Sequence, residues 1–371
     1  MVKACPICGG SKIEWIKLNY TLLKHLGFVD FQSHGTMGRC LTCQLLISGM
    51  TTSQEKKQLK MGGSLDYAEA PITNQTFLLD NGQRVTRFFL QAELLKRFLK
   101  NSKDTRVLDI GCFHGEFLLE LHDRFPKAKF HGFDTNKHLK NHFPAKKNFT
   151  LHLSGLSEVK GEFDLICLSM SMIYIKTIDG LFKNIRRLLK KDGRVFIQLV
   201  DLDKNPYSIL LGDQYYHFTP TILRNVLGQR GFELDLVHDA HFPRDIIGIA
   251  RLSRSKESQP VKEDVSVHRT VEFLDKAKKK LLTISKEADL CVLGTTTIAA
   301  FVDIVLGQRI QFFVDENISG FEGDTRFRGK RVISPVSLNK SVHLILPYGL
   351  ANESIRKRFE RDYHLTNFEL T

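Results

Sequence analysis

The stretch that decides the fold is Thr105–Phe117, TRVLDIGCFHGEF. Val107 and Leu108 continue a short apolar run, Asp109 and Ile110 end it, and Gly111 and Gly115 bracket a tight turn. Phe117, Leu118, Leu119 and Leu121 then open an amphipathic helix. Strand, turn and helix in that order form the first unit of a doubly wound α/β sheet, whose ligands bind beyond the carboxyl ends of its strands. Further on, AKFHGFD (Ala128–Asp134) predicts a second strand ending in Asp134, an acid able to accept hydrogen bonds from ribose hydroxyls. A dinucleotide turn would carry a third glycine to seat a pyrophosphate, whereas this one reads Gly111, Cys112, Phe113, His114, Gly115, which argues against a phosphate cradle. The same glycines and acids can also serve only as turn formers in another α/β domain.

The segment resembles motif I of the class I methyltransferases that use S-adenosylmethionine, usually written LDIGCGTG, with Phe113 at its middle glycine and Asp134 at the ribose-binding acid. GEFDLICLSMSMIYI (Gly161–Ile175) resembles the fourth strand of that fold. LFKNIRRLLKKDGRVFIQLV (Leu181–Val200) resembles the next helix, a turn at Asp192 and Gly193, and the fifth strand. HFTPTILRNVLGQRGFELDLVHD (His217–Asp239) completes the series, and the likeness spans residues 80–253. It implies a cofactor site built from Asp109, Gly111, Cys112, Gly115, Asp134 and Ser169. The strand near LHLSGL (Leu151–Leu156) lacks the acid that often holds the adenine, which leaves that task to backbone groups around Gly155 and Leu156.

At 371 residues the chain exceeds the usual size of one core, so two or three domains are expected. With 42% hydrophobic and 26% charged residues, long disordered stretches are not. No uncharged apolar run reaches the roughly 20 residues needed to cross a bilayer, and MVKACPICGG lacks the apolar region of a secretory signal, so a cytoplasmic protein with no membrane partner is expected. The net charge of +13 admits an anionic partner, but lysines and arginines fall in short clusters such as Lys278–Lys280, each on a predicted helix face, and no long basic arm occurs.

Four of the seven cysteines form two pairs, Cys5-Pro-Ile-Cys8 and Cys40-Leu-Thr-Cys43. Two such knuckles can present four thiolates to a tetrahedral Zn²⁺, and four sulfurs leave no open position, so a structural rather than catalytic ion is expected. The segment between the pairs must then carry structure of its own. Disulfides are the alternative, disfavoured in a cytosolic chain. His25 and His34, between the pairs, are possible substitutes for a cysteine. Cys112, Cys167 and Cys291 stand alone in apolar surroundings and are expected to be buried.

After Arg254 the polar stretch SKESQPVKEDVS reads as a linker, followed by a helix expected over Val271–Lys286. LCVLGTTTIAAFVDIVL (Leu290–Leu306) and IQFFVDEN (Ile310–Asn317) predict strand, turn, helix and a strand ending at Asp315, with further strands in RVISPVSL and VHLILPYGL. A second, smaller Rossmann-like domain is the economical reading. The expected domains are 1–60 (zinc-binding), 61–255 (methyltransferase-like) and 265–371 (Rossmann-like).

That order resembles the sugar C-methyltransferase family, which acts on nucleotide-activated keto-deoxysugars. LGTTT (Leu293–Thr297), VDEN (Val314–Asn317), SPVSL (Ser334–Leu338) and ILPYGL (Ile345–Leu350) stand where that family's last domain has its glycine turn, its acid, and its SPE-like and ILPW-like stretches. The family's catalytic stretch reads approximately Tyr-x-Glu-His-x-x-Tyr-Phe-Ser. Here LGDQYYHFT places Leu211, Asp213, Gln214 and His217 at its first Tyr, Glu, His and second Tyr, and a second family histidine falls near Tyr174. Glutamine cannot act as a base. Imidazole titrates near neutrality, so His217 is the candidate base with Asp213 or Tyr174 orienting or substituting, and a packing role before the helix at Pro220 is the alternative for His217. The expectation is an S-adenosylmethionine-dependent methyltransferase acting on a small anionic metabolite such as a nucleotide-linked sugar, with carbon, oxygen and nitrogen acceptors all open. An RNA methyltransferase and a non-catalytic protein that keeps the fold are the competing readings.

Overall fold

The computed structural model describes residues 2–23, 30–32, 35–69, 76–79, 81–253, 260–285, 289–316, 325–339, 341–349 and 352–370. His25, His34, residues 254–259 of the expected linker, Lys286, Asn317 and Leu350 lie outside the described residues. The chain divides into two compact units. The first comprises Met1–Trp15, Gly38–Lys204 and Gln214–Asp264, and the second Ile16–Met37, Asn205–Asp213 and Val265–Thr371.

The first unit is built on a seven-stranded sheet of β8 (Arg106–Ile110), β9 (Lys129–Phe133), β10 (Phe149–His152), β11 (Phe163–Ser169), β12 (Leu189–Val200), β14 (Phe232–Val237) and β15 (Asp245–Leu252), in the order β10-β9-β8-β11-β12-β15-β14. The strands from β10 to β12 pair parallel, and β15 runs antiparallel to both β12 and β14. This is the Rossmann-like α/β architecture expected from the sequence. The strand order reverses between β8 and β11, which puts the crevice of a doubly wound sheet at their carboxyl ends. Val107, Leu165, Cys167 and Phe196 are buried on one face of the sheet, with Phe117, Leu118 and Leu121 of α4 (Glu116–Arg124) and Leu90 and Leu95 of α3 (Arg87–Leu95) in the same core cluster.

Helix α5 (Ile178–Leu188) follows from its pattern: Ile178, Leu181, Phe182, Ile185 and Leu188 are buried at helical spacing, with Asp179 in the first turn and Arg186 and Arg187 in the last. The expected turn at Asp192 and Gly193 is a bulge within a strand rather than a separate element, where the pairing of β12 steps from Leu189 to Arg194 while β11 advances only from Phe163 to Leu165. Strand β12 begins at Leu189, directly after α5, and runs through both residues. Helix α6 (Pro220–Gln229) starts on the Thr219 cap, whose hydroxyl accepts from the Ile222 amide at 3.1 Å and donates to Asp264 at 2.6 Å.

A four-stranded sheet has the order β1 (Ile13–Leu18), β4 (Gly35–Cys40), β5 (Leu46–Ser48), β13 (Tyr216–His217), and the division between units falls inside β1 and β4. Between β5 and α3 come α1 (Thr52–Gly62), which opens on a Thr51 and Gln54 capping box, α2 (Leu65–Glu69), and the ribbon of β6 (Thr76–Leu78) and β7 (Arg84–Thr86).

The second unit carries a six-stranded sheet, β18 (Arg326–Phe327), β19 (Lys330–Ile333), β17 (Ile310–Val314), β16 (Leu290–Leu293), β20 (His343–Leu346) and β21 (Phe368–Leu370) in that order, with α7 (Ser266–Leu282), α8 (Thr297–Leu306) and α9 (Asn352–Tyr363). All its pairs are parallel except β18 with β19. The expected helix over Val271–Lys286 begins earlier, at Ser266, and ends at Leu282. The ribbon of β2 (Leu22–Leu23) and β3 (Asp30–Gln32) belongs to this unit, and Phe301 of α8 receives the rings of Tyr20 and Tyr207 at 5.5 and 5.3 Å. Among the described residues no helix is long and apolar enough to cross a membrane.

Candidate functional site

The turn after β8 is shaped by three residues with positive φ, Gly111 (80°), Phe113 (47°) and Gly115 (83°). Gly111 is required on two counts, because a Cβ there would stand 2.5 Å from Ser171 Cβ and the backbone angle disfavours any side chain. The amides of Gly111 and Cys112 donate to the Phe133 carbonyl at 2.8 and 3.2 Å, tying the turn to the end of β9. Phe113 holds a left-handed conformation that glycine would take without strain. Its ring stacks on His114 at 3.9 Å and meets Tyr67 edge-on at 5.3 Å.

Asp134 follows β9 and accepts from the amides of Phe113 (3.3 Å) and Asn136 (3.0 Å), which leaves carboxylate lone pairs for further donors. Asp109, buried near the end of β8, has its pKa pushed up to about 8, chiefly by burial and then by the charges of Asp134 and Glu116. Burial raises Asp134 and Glu116 as well. Carboxyls raised this way are poised to gain from a cation placed among them, and a sulfonium or an ammonium is such a group.

Sequence reasoning missed the segment that lies against this turn. Asn136 donates through Nδ2 to the carbonyls of Gly62 and Ser64, both at 2.9 Å, and His114 Nε2 stands 2.6 Å from the Ala68 carbonyl. Helix α2 is thereby pinned over Phe113 and His114. The one local signal was Asn136 itself, two residues past the strand-ending acid in a position suited to an Asx turn.

Beyond β11, Ser171 donates to the Ile110 carbonyl at 2.5 Å. Tyr174 receives Gln214 Nε2 at 3.5 Å, so the residues aligned with the two family histidines do meet. Next to them the Tyr215 hydroxyl donates to Glu55 at 3.3 Å, Lys176 pairs with the same carboxylate, and the Tyr216 hydroxyl donates to the Lys176 carbonyl at 2.5 Å. Glu55 and Lys176 were not singled out by the sequence.

His217 sits in β13, paired with Leu46 of β5, and its Nε2 lies 3.4 Å from Ser48 Oγ. Burial lowers its pKa to about 4, so it is a neutral imidazole at physiological pH. Asp213 groups with the second unit, whereas Tyr174 and His217 belong to the first. At the other flank, the Gly155 amide is capped by Glu158 at 3.3 Å and the Leu156 carbonyl receives Arg187 at 3.1 Å.

The four paired cysteines converge, with all sulfurs within 4.8 Å of one another and Cys5–Cys43 and Cys8–Cys40 each at 3.5 Å. A tetrahedral ion with bonds of about 2.3 Å places its sulfurs about 3.8 Å apart, so the cluster fits a four-thiolate metal site. The two knuckles share one geometry. The Gly9 amide donates to the Cys5 carbonyl and the Gln44 amide to the Cys40 carbonyl, with φ of 72° at Gly9 and 68° at Gln44. None of the seven cysteines forms a disulfide, and Cys112, Cys167 and Cys291 are buried.

In the second unit Gly294 (φ 86°) makes the turn after β16 that its sequence predicted, and Thr295 donates to Asp315 at 2.8 Å. The Tyr348 hydroxyl donates to the Leu293 carbonyl at 3.1 Å and would lie 2.0 Å from a Cβ on Gly294. That glycine makes room for a side chain of its own unit.

Residues 84–237 match the family described as a methyltransferase domain. Curated relatives of this domain include the tRNA U34 carboxymethyltransferase of Campylobacter lari, 26% identical over 155 residues, 39% of this chain and 53% of that protein. The enzyme of the same name from Campylobacter fetus is 30% identical over 148 residues, 36% of this chain and 50% of that protein. The chain thus spans about half the length of the curated relatives it matches. Similar solved structures include CalO1, a methyltransferase in calicheamicin biosynthesis with SAH bound, at 17% identity and TM-score 0.37, covering 44% of this chain and 54% of that one. Human N-acetylserotonin methyltransferase with SAM is similar at 19% identity and TM-score 0.37, covering 44% and 52%. Likeness of that degree carries no argument about substrate.

Proposed function

We propose that the chain transfers a methyl group from S-adenosylmethionine to a small anionic metabolite, a nucleotide-linked sugar, with the four-cysteine cluster holding a structural Zn²⁺. The observation that carries the cofactor half is the meeting of buried Asp109 with Asp134 at the ends of adjacent strands β8 and β9. Asp134 would accept from the ribose hydroxyls, Asp109 and Glu116 would face the cationic end, and Gly111, Cys112 and Gly115 would form the floor. Ser169 would sit at the amino-acid end, and backbone around Gly155 and Leu156 would face the adenine. The bound cofactor supplies an electrophilic methyl group with its own leaving group, so the protein's tasks are positioning and, for a carbon or hydroxyl acceptor, removal of a proton.

The acceptor reading rests on the order of parts: cysteine cluster, methyltransferase domain, then a second Rossmann-like sheet, an arrangement similar to the sugar C-methyltransferases. For the acceptor proton we assign Tyr174, whose hydroxyl accepts from Gln214. His217 is assigned a supporting role through its neutral ring beside Ser48. A second reading is favoured by the names of the curated relatives and by the net charge of +13: the same domain methylating or otherwise alkylating RNA. Calorimetric titration with S-adenosylmethionine and S-adenosylhomocysteine, followed by methyl-transfer assays on sugar nucleotides and on bulk tRNA, tests both. Cofactor binding with turnover of a sugar nucleotide supports the first reading, a strongly salt-dependent tRNA complex supports the second, and no cofactor binding removes both.

A further inference from the structure

A chain of buried polar groups crosses the first unit's sheet at the carboxyl end of β11. Arg87 Nη1 and Gln198 Nε2 both donate to Asp245 Oδ2, at 2.9 and 2.7 Å. Gln91 Nε2 donates in turn to Gln198 Oε1 and to Ser169 Oγ, each at 2.7 Å. The direction of this chain is set at one end. A carboxylate can only accept, so Gln198 must point its NH₂ group at Asp245 and its oxygen at Gln91. Gln91 must then present its own NH₂ group, and its oxygen is left buried without a partner among the described residues. An amide free to choose would satisfy both its atoms, since a buried unpaired acceptor is costly. Gln198 and Gln91 are essentially fully buried, and the chain draws on α3, β12 and β15, elements distant in sequence.

The consequence falls on Ser169. One lone pair of its hydroxyl is taken by Gln91, so its proton points elsewhere, and it has no protein acceptor among the described residues. Ser169 is half-buried and pairs in register with Gln198. It lies two residues beyond Cys167, the partner of Asp109, so the side chains of Ser169 and Asp109 leave the sheet on the same face. A carboxyl group near the end of β8 and a hydroxyl proton at the end of β11, on one face of the sheet, complement an ammonium and a carboxylate carried by one carbon.

We propose that Gln91 is a positioning residue of the cofactor site: through the one-way chain anchored on Asp245 it makes Ser169 a donor to the carboxylate at the amino-acid end of the cofactor. The assignment rests on the cofactor reading above and adds to it which end of the ligand these residues recognise. The test compares two ligands in calorimetry with the full-length protein: S-adenosylhomocysteine, and 5′-methylthioadenosine, which keeps the nucleoside and thioether but has no amino-acid end. Ser169→Ala and Gln91→Leu are each expected to weaken S-adenosylhomocysteine about tenfold or more, as for a lost hydrogen bond to a charged group, and to leave 5′-methylthioadenosine within about twofold. Gln91→Glu keeps the size and polarity but turns the Ser169 proton inward. It is expected to give the same selective loss, and it replaces Gln91→Leu should that variant fail to fold.

Equal weakening of both ligands, or an unchanged affinity for S-adenosylhomocysteine, overturns the positioning role while leaving the cofactor site in place. Wild-type protein that binds neither ligand overturns the cofactor reading and this assignment with it.

Discussion

The Phe113 amide donates to the Asp134 carboxylate across 3.3 Å, so the acid at the end of the second strand is held by the residue that replaces the middle glycine of the first turn. The side chain at that position is accommodated outside the turn, between His114 and Tyr67, while the backbone keeps the donor a glycine would have supplied. Asp134→Ala removes both this support and the proposed ribose acceptor. It is expected to weaken S-adenosylmethionine binding by about 1–3 kcal/mol, roughly fivefold to 150-fold. Calorimetric affinities at one pH check it, and an unchanged affinity would take Asp134 out of the site.

Gly111 is the sharper structural test. A side chain there meets both the φ of 80° and Ser171 Cβ at 2.5 Å, and Ser171 is itself fixed by its bond to Ile110. Gly111→Ala is expected to destabilise the protein by about 2 kcal/mol or more and to abolish cofactor binding. Chemical denaturation gives the first quantity and titration the second.

The cysteine cluster predicts its own chemistry. If four thiolates hold one ion, metal analysis of the purified protein should give close to one zinc per chain, and Cys5→Ser or Cys40→Ser should lower it and destabilise the module, because binding energy at such a site is folding energy. Cys291→Ser, in the second unit, should leave the metal content unchanged. Equal metal in the Cys5→Ser variant would count against the site.

Much of the frame was legible because its signals are local. Alternating apolar residues, two glycines and a strand-ending acid within Thr105–Asp134 specify strand, turn, helix and strand without reference to anything distant, and the paired cysteines carry their spacing with them. What the sequence hid depends on partners far along the chain. Nothing around Gly62–Ala68 announces that Asn136 and His114 will hold it, and Gln91 and Gln198, 107 residues apart, look like ordinary polar residues until the fold buries them together. The grouping of Ile16–Met37 and Asn205–Asp213 with the carboxyl-terminal sheet is of the same kind, carried by contacts such as Tyr20 and Tyr207 on Phe301. Asp192 and Gly193 were legible in part: they lie within β12, but at a bulge where its pairing steps from Leu189 to Arg194 while β11 advances only from Phe163 to Leu165.

Two buried groups should give the unliganded protein opposing pH dependences. Asp109 has a folded pKa near 8 against an ordinary 3.8, so the folded state holds its proton longer than the unfolded chain. Its contribution is fully present below about pH 4 and is lost as the pH rises towards 8, with a slope of at most about 1.4 kcal/mol per pH unit. His217 has the reverse sign. Its folded pKa near 4, below the ordinary 6.5, makes the folded state refuse a proton the unfolded chain accepts, so stability is lost as the pH falls from 6.5 to 4. Melting temperatures across pH 4–8 should therefore flatten on the alkaline side in Asp109→Asn and on the acid side in His217→Asn. A cationic ligand favours ionised Asp109, so cofactor affinity in the wild type should rise with pH towards 8 and binding should release a proton, read as a buffer-dependent enthalpy. Asp109→Asn should lose that release while His217→Asn keeps it. An Asp109→Asn variant that still releases the proton would place the titrating group elsewhere.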